Sequence, residues 1–153
     1  ASDISREEKD LLAKYVSGGG KLMVLAGPVE NGTLENLYSL LEDYGVEAAE
    51  GIVVETDRGH YAFQAPYILL PNLQSSEITD PLIQEHYYSI IPIAQGLTVK
   101  GADSAEVTEL LTTSETAFSK TDGYGLTTYE KEEGIQTDLS PWRYPLRAEM
   151  TGR

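Results

Sequence analysis

The chain has 153 residues, of which 24% are charged and 41% are apolar, and these proportions are typical of one globular domain. It carries 25 acidic and 11 basic residues, a formal net charge of −14, and a surface this acidic argues against nucleic acid and anionic lipid as partners. The absence of cysteine excludes thiol nucleophiles, thiolate metal sites and redox switches. No apolar run reaches the roughly 20 residues of a membrane helix, so we expect no direct membrane insertion by these residues.

The first predicted element is a helix that begins after Ser5. Ser5 and Glu8 have the spacing of a capping box, and the apolar residues within Leu12–Val16 have helical spacing. Gly18–Gly20 should end this helix, because glycine adopts the left-handed conformation of a helix C-terminus at no steric cost.

The next elements predict a strand, a helix and a second strand. Leu22–Ala26 is a continuous apolar run, typical of a strand buried on both faces of a parallel sheet. A helix should follow, with Thr33 as its N-cap and Gly45 near its end, and Ile52–Val54 is the second strand. We expect the two strands to lie side by side and parallel at the centre of the fold, joined by a right-handed crossover.

Later elements are shorter. We expect strands or extended chain at Tyr67–Leu70, Ile90–Ile93, Glu106–Thr113 and Tyr144–Thr151, a short helix from Asp80 through Glu85, and a flexible loop or hairpin over residues 120–138. Residues 1–153 then form a single α/β domain built around this strand-helix-strand unit, with antiparallel strands possible at the edges of its sheet. Because Ala1 is not an initiator methionine, we expect this domain to be excised from a longer, membrane-anchored protein.

A candidate ligand-binding loop follows the first predicted strand. In open α/β sheets, ligands bind at the carboxyl ends of strands, near helix N-termini. The loop residues placed there are Gly27, Pro28, Glu30, Asn31 and Thr33. Glu30 is the only ionisable side chain among them and would oppose an anion, so a connecting loop without a ligand is the alternative.

The sequence offers no recognisable catalytic constellation. The glycines before Lys21 follow a helix instead of opening one, unlike a phosphate-binding loop. His60 and His86 lack the spacing of a helical metal site, and no nucleophile elbow surrounds Ser104. We therefore predict no catalytic residue, no metal and no cofactor, although a serine, a histidine and an aspartate brought together only by folding remain an alternative.

Tyrosine is unusually frequent, with ten residues against two phenylalanines. Tyrosine combines apolar area with a polar tip, and it is common at wet interfaces and on sugar-binding surfaces. The candidate interface residues are Tyr87, Tyr88, Tyr124, Tyr129 and Tyr144. Ordinary half-buried packing explains these tyrosines about as well.

Several motifs occur in the order found in one family. These are Asp3, Ser5, Glu7 and Glu8, the run from Leu12 to Leu25, the Pro28 turn, Ile78–Leu82, Pro92–Leu97, Leu110–Ser114 and Pro145–Ala148. Together they resemble the extracytoplasmic domain of the gliding-motility auxiliary protein GldG and of the auxiliary proteins of ABC-2-type transport systems. The chain has Gly27 where the family often has aspartate, and Ser76-Glu77 where it has His-Pro, so two polar ligand candidates of the family are absent.

The resemblance implies a glutamine-amidotransferase-like or flavodoxin-like α/β domain, with a doubly wound, mostly parallel sheet and flanking helices. It also implies a position on the extracytoplasmic side of a bacterial membrane, anchored by segments outside this chain. It also implies that the ATPase and permease of an ABC system, or an auxiliary partner protein, are the partners. Amidotransferase chemistry needs a cysteine nucleophile, which this chain lacks. We therefore expect a non-catalytic binding or assembly domain, and its kinship and role both depend on the central parallel strands.

Two other functions stay open at this stage. One is a carbohydrate- or small-ligand-binding domain that uses the loop from Gly27 to Thr33 with nearby tyrosines. The other is a hydrolase with a spatially assembled serine, histidine and aspartate, which would require a serine Oγ within about 3 Å of His60 or His86.

Overall fold

The computed structural model describes residues 2–29, 33–100, 105–121, 126 and 148–152. Three α-helices occur in these ranges: α1 (Arg6–Ser17), α2 (Glu35–Glu42) and α3 (Asp80–Gln84). A turn of 3-10 helix covers Arg58–His60. The strands are β1 (Val46–Ala48), β2 (Ile52–Val54), β3 (Ile68–Leu69), β4 (Asn72–Leu73), β5 (Ile91–Pro92), β6 (Leu97–Val99), β7 (Ala105–Glu109), β8 (Leu111–Thr112), β9 (Phe118–Lys120) and β10 (Ala148–Gly152).

Helix α1 confirms the first prediction. The Glu8 amide donates to Ser5 Oγ at 3.2 Å, and the Ser5 amide donates to the Glu8 carboxylate at 2.7 Å, which completes the capping box. Gly18 is the C-cap, and Gly19 follows it with a φ of 89°. None of the residues of α1 is fully buried, so this helix lies on the surface of the fold.

The N-terminus of helix α2 is capped by a residue that is remote in sequence. Its N-cap is Leu34, which has no capping side chain, and the prediction that Thr33 caps it is wrong. Instead Asp3 accepts the amides of Asn36 and Leu37 at 2.7 and 3.2 Å. Burial opposes ionisation of this carboxyl, but the hydrogen bonds outweigh it and hold the pKa of Asp3 below its usual value.

The two helices run in the same direction. Asp3, just before α1, contacts the start of α2, while Lys9 in α1 lies 3.3 Å from Asp43 at the end of α2. The chain between them must therefore travel back along the pair.

The predicted strand Leu22–Ala26 lies on this return path and is not a strand. Lys21 to Pro28 form no hydrogen bond with any residue that the structure describes. Met23 and Leu25 are 71% and 86% exposed, whereas a strand in a parallel core is covered on both faces. The expected parallel partner of β2 is thus missing.

The doubly wound, mostly parallel sheet is also wrong, because every strand pair among the described residues is antiparallel. The pairs are β1 with β6, β2 with β9, β3 with β5, β4 with β8, and β7 with β10. The chain returns to each strand through loops and short elements, and the result is a mixed fold of helices and short antiparallel ribbons.

Strand β2 lies at the centre of these ribbons. Strand β9 pairs along one of its edges, and the Val53 amide donates to the Ala94 carbonyl at 2.8 Å beyond the other. Val53 packs into one apolar cluster with Leu69, and Ile52 packs into another with Phe118. Burial on both faces therefore comes from two apolar layers around an antiparallel strand, and it does not require a parallel sheet.

The shorter predicted elements agree better with the structure. The predicted helix from Asp80 and the extended chains near Tyr67–Leu70 and Ile90–Ile93 are confirmed as α3, β3 and β5. The predicted strand Glu106–Thr113 is divided into β7 and β8. Most of the predicted loop over residues 120–138 lies outside the described residues. In the described ranges, no helix combines the length and apolar character needed to cross a bilayer.

The close approach of β2 and β9 can be tested by a substitution at Gly51, which lies just before β2. Gly51 has a φ of 84°, and a Cβ atom there would overlap the carbonyl oxygen of Lys120. We expect Gly51→Ala to lower the free energy of unfolding by about 3 kcal/mol, from backbone strain plus the overlap. Gly19→Ala is the matched control, because Gly19 has a φ of 89° with nothing within 4 Å of the added carbon, so only the strain of about 1 kcal/mol remains. Equal losses in urea unfolding would contradict this account.

Candidate functional site

The structure shows only part of the predicted ligand-binding loop. Gly27 and Thr33 are exposed and Pro28 is half-buried, while Glu30 and Asn31 lie outside the described residues. Thr33 donates its hydroxyl to Glu35 at 3.3 Å, and neither Gly27 nor Pro28 hydrogen-bonds to a described residue. No contact in the described part of this loop points to a ligand.

A polar cluster that the sequence did not single out lies at the end of β2. Its members are Glu55, Asp57, His60, Asn72, Ser114 and Thr116. They come from the end of β2, the 3-10 turn, the start of β4 and the loop after β8. The cluster therefore joins three segments that are distant in sequence, because the end of β2 runs directly into the 3-10 turn.

Glu55 is the centre of this polar cluster. It is 1% exposed, and its carboxylate accepts from the amides of Thr56 and Asp57 at 2.9 and 3.1 Å. Across the fold, Ser114 donates its hydroxyl at 2.6 Å and its amide at 3.1 Å, and Thr116 adds a weaker hydroxyl contact at 3.4 Å. Four of these five contacts fall on Oε1, while Oε2 accepts only the Ser114 amide, so the contacts anchor the carboxylate from both segments but leave Oε2 with a free lone pair.

His60 lies between two acceptors. Its Nδ1 is 3.2 Å from the Asp57 carboxylate without meeting hydrogen-bond geometry, so this contact is mainly electrostatic. Its Nε2 is 3.2 Å from Asn72 Oδ1, and Asn72 Nδ2 donates to the Thr113 carbonyl at 3.5 Å. The imidazole thus connects the 3-10 turn to β4.

The hydrolase arrangement is not found among the described residues. Ser114 directs its hydroxyl to Glu55, and His60 contacts Asp57 and Asn72 instead of a serine. His86 is exposed, with a φ of 57°, and its side chain has no hydrogen-bond partner in the described ranges. In the same ranges, no three histidine or acidic side chains come close enough to hold a metal ion. We therefore interpret the polar cluster as a structural clamp, that is, a set of contacts that holds distant segments of the chain together, and not as a reactive centre.

A depression of about 310 Å³ lies elsewhere, beside the pair of β1 and β6. It is lined by Glu42, Gly45, Val46, Glu47 and Lys100. Lys100 forms an ion pair with Glu47 at 2.9 Å, so the single cation of this lining is already neutralised. The depression does not coincide with the predicted loop at Gly27–Thr33.

Besides this depression, the surface carries a stretch of exposed apolar side chains. Tyr87 and Tyr88 are 60% and 84% exposed. They belong to an apolar surface that we define as Leu82, Ile83, Tyr87, Tyr88, Ile90 and Ile93, all of them exposed. The other tyrosines of the predicted interface, Tyr124, Tyr129 and Tyr144, lie outside the described residues.

This apolar surface is held in place by polar contacts at the start of α3. Asp80 accepts from the Ser75 hydroxyl at 2.8 Å and from the Ser76 amide at 3.2 Å. The buried Thr79 donates its hydroxyl to the Gln74 carbonyl. Helix α3 itself contains no fully buried residue. The hydrogen bonds therefore fix a helix whose apolar side chains Leu82 and Ile83 are only partly covered by the rest of the fold.

Sequence reasoning missed the polar cluster for a definable reason. Glu55 follows directly on the apolar strand Ile52–Val54, where a charge would be unfavourable without partners. A glutamate directly after an apolar strand was therefore the sequence signal that indicated buried hydrogen-bond partners. Its partner Ser114 is remote in sequence, and no local pattern connects it to Glu55.

The first test at this site concerns Glu55. We expect Glu55→Gln to lower the free energy of unfolding by about 3 kcal/mol, because an amide nitrogen would then face N–H and O–H donors in a buried place. Urea denaturation followed by far-UV circular dichroism measures the loss. Glu115→Gln makes the same change at an exposed position of the same loop and should have no effect. A tolerated Glu55→Gln would show that the polar cluster is not a clamp.

The second test concerns acid stability. The Gly59 amide, at 2.8 Å, holds the pKa of Asp57 below its usual value against a smaller opposing effect of burial, and the charge of His60 adds to the lowering. Because the folded-state pKa is lower than the unfolded one, ionised Asp57 stabilises the fold fully above pH about 4, and this contribution is lost as the pH falls through the folded-state pKa. Asp57→Asn should therefore flatten the fall of unfolding free energy between pH about 4 and 2. The exposed Glu77→Gln is the control, and an unchanged slope in Asp57→Asn would refute the assignment.

Comparisons with models of known protein families, with curated proteins and with solved structures found no match for this chain. The family resemblance therefore depends on the sequence motifs alone, and the function must be argued from the geometry above.

Proposed function

We propose that this chain is a non-catalytic binding or assembly domain, and that the apolar surface on α3 and the segment after it contacts the partner. The observation that carries the proposal is the exposure of six large apolar side chains between Leu82 and Ile93. Contiguous exposed apolar patches on a soluble domain mark interaction sites. The polar cluster supports the non-catalytic part, because the Ser114 hydroxyl is directed to Glu55 and His60 contacts Asp57 and Asn72 instead of a described serine.

Backbone strain near this surface also supports a role in binding. Ile93 has a φ of 51°, which is unfavourable for a β-branched residue, and its amide is held by the Tyr67 carbonyl at 2.9 Å. Phe63 and Gln64 have φ values of 54° and 56° in a tight turn closed by the Ala65 amide and the Ala62 carbonyl. Such a turn normally takes asparagine and glycine, yet here it presents an exposed phenylalanine. Strain of about 1–3 kcal/mol per residue is typically retained where a surface serves function.

The charges around this surface define the chemistry of the partner. The sequence contains no lysine or arginine from Gly59 to Val99, while Glu77, Asp80 and Glu85 flank the apolar side chains. Complementary potentials favour a protein surface with an apolar centre and basic residues at its rim. An anionic lipid or a nucleic acid would be repelled.

The cellular setting is proposed from the family resemblance. The motifs suggest an extracytoplasmic domain of a GldG-like auxiliary protein, anchored in a bacterial membrane, whose partner is the permease, the ATPase or another subunit of an ABC system. The antiparallel strand pairs remove the doubly wound core as support for this kinship. The central parallel strands on which this kinship was expected to depend are not found among the described residues, so the order of the sequence motifs alone carries the proposed setting.

The proposal is tested by co-purification with the permease encoded beside the parent gene. Replacing Tyr87 and Tyr88 by serine should weaken binding about 30-fold, since an aromatic anchor at an interface contributes about 2 kcal/mol or more. Leu11→Ser, which removes an equally exposed apolar side chain from α1, should leave binding unchanged. Equal affinities of the tyrosine variant and the unaltered protein would refute this contact surface.

The genes around the parent gene test the setting independently. Membrane-spanning segments in the full reading frame, with adjacent ATPase and permease genes, would support the transport role. A complete reading frame without membrane segments and without transport genes nearby would contradict the transport role, but not the binding surface.

A further inference from the structure

The segment from Lys21 to Ala26 has the side-chain pattern of a strand without strand partners. Leu22 and Val24 are half-buried, while Met23 and Leu25 between them are exposed, so exposure alternates with the period of two found in strands. The backbone of these residues makes no hydrogen bond with any part of the chain that the structure describes. Within the described part of the chain, its N–H and C=O groups are therefore open to an added strand.

The geometry points to a second copy of this chain as the occupant, paired antiparallel across a twofold axis at Val24. In this register Met23 of one copy lies opposite Leu25 of the other, and the reverse. Each exposed apolar side chain then gains an apolar neighbour at the usual cross-strand distance of about 5 Å. The segment is self-complementary, as a twofold interface requires. This inference concerns self-association and does not depend on the proposed function.

The distribution of charge also favours a second copy of this chain, paired antiparallel. Leu22–Val29 contains no charged residue, whereas the chain as a whole carries −14, so this is a place where two copies approach without local repulsion. Antiparallel pairing opposes each Lys21 to Gly27 and separates the two lysines by about 20 Å, twice the Debye length of roughly 10 Å at 0.1 M salt. Parallel pairing would set the two lysines about 5 Å apart.

The expected dimer is weak and sensitive to salt. Six residues per copy form an interface below the roughly 1,200 Å² typical of stable complexes. Repulsion between two acidic bodies opposes association, and added salt screens it. Raising NaCl from about 0.05 to 0.5 M should therefore strengthen the dimer, whereas it would weaken the binding of a basic partner strand to the same segment.

Analytical ultracentrifugation over a range of protein and NaCl concentrations tests this inference. Replacing Met23 and Leu25 by lysine should lower the association constant about tenfold or more, because lysine on an edge strand opposes pairing. These lysines reduce the net charge of each copy, so the loss would not come from greater overall repulsion. Leu11→Lys together with Tyr15→Lys makes the same change of charge at exposed apolar positions of α1 and should preserve the dimer.

A cysteine cross-link tests the register. Directly opposed residues of antiparallel strands have Cα atoms about 4.5–5.5 Å apart, within the range of a disulfide. Since the chain has no cysteine, Val24→Cys should give a disulfide-linked dimer on mild oxidation, whereas Leu11→Cys should stay monomeric. Far-UV circular dichroism verifies that each variant is folded.

Three results would overturn the inference. They are a monomer at every concentration and salt, a dimer unaffected by the lysines at Met23 and Leu25, and equal cross-linking of Val24→Cys and Leu11→Cys. A basic strand that binds the segment more tightly at low salt would replace the second copy as its occupant.

Discussion

The buried carboxylate of Glu55 is the interaction on which the centre of the fold depends. Strand β2 is covered by apolar layers on both faces, and its next residue inserts a charge into the same interior. A charge in such a place is tolerated only when hydrogen bonds replace water. Glu55 meets this condition through the two amides that follow it and through Ser114 on the opposite segment. The need to satisfy one carboxylate therefore fixes how β2 and the loop after β8 meet.

Asp3 performs the same task at the start of α2. It supplies the capping oxygen that α2 lacks, and the two amides it accepts connect segments more than thirty residues apart in sequence. The parallel alignment of α1 and α2 follows, and it forces the chain to return through Leu22–Ala26. In both places a single acidic side chain carries out long-range organisation that short antiparallel ribbons cannot supply. These acidic residues are therefore structural, although the net charge of −14 makes them look like ordinary solvated surface.

The accuracy of the sequence predictions follows the range of the interactions that decide each element. Helix α1 was predictable because its capping box and its terminal glycines act within a few residues. The existence of β2 was predictable from its three β-branched residues, but its neighbours were not, since β9 and Ala94 are chosen by packing across the fold. The apolar run Leu22–Ala26 resembles a core strand in every local respect, and only the absence of described partners distinguishes it. The polar cluster was unpredictable because its members meet through tertiary structure alone.

The two unburied apolar stretches differ in a way that separates their roles. The apolar surface on α3 and the segment after it is fixed by the contacts of Ser75, Ser76 and Asp80, and acidic residues flank it. The segment at Leu22–Ala26 has open backbone groups and no charge within it. A rigid patch with an acidic rim selects a partner by side-chain shape and opposite charge, whereas an open neutral strand selects by backbone pairing. Salt should weaken the first kind of contact and, for two acidic copies, strengthen the second. The two proposed association surfaces are therefore distinguished by opposite expected responses to ionic strength.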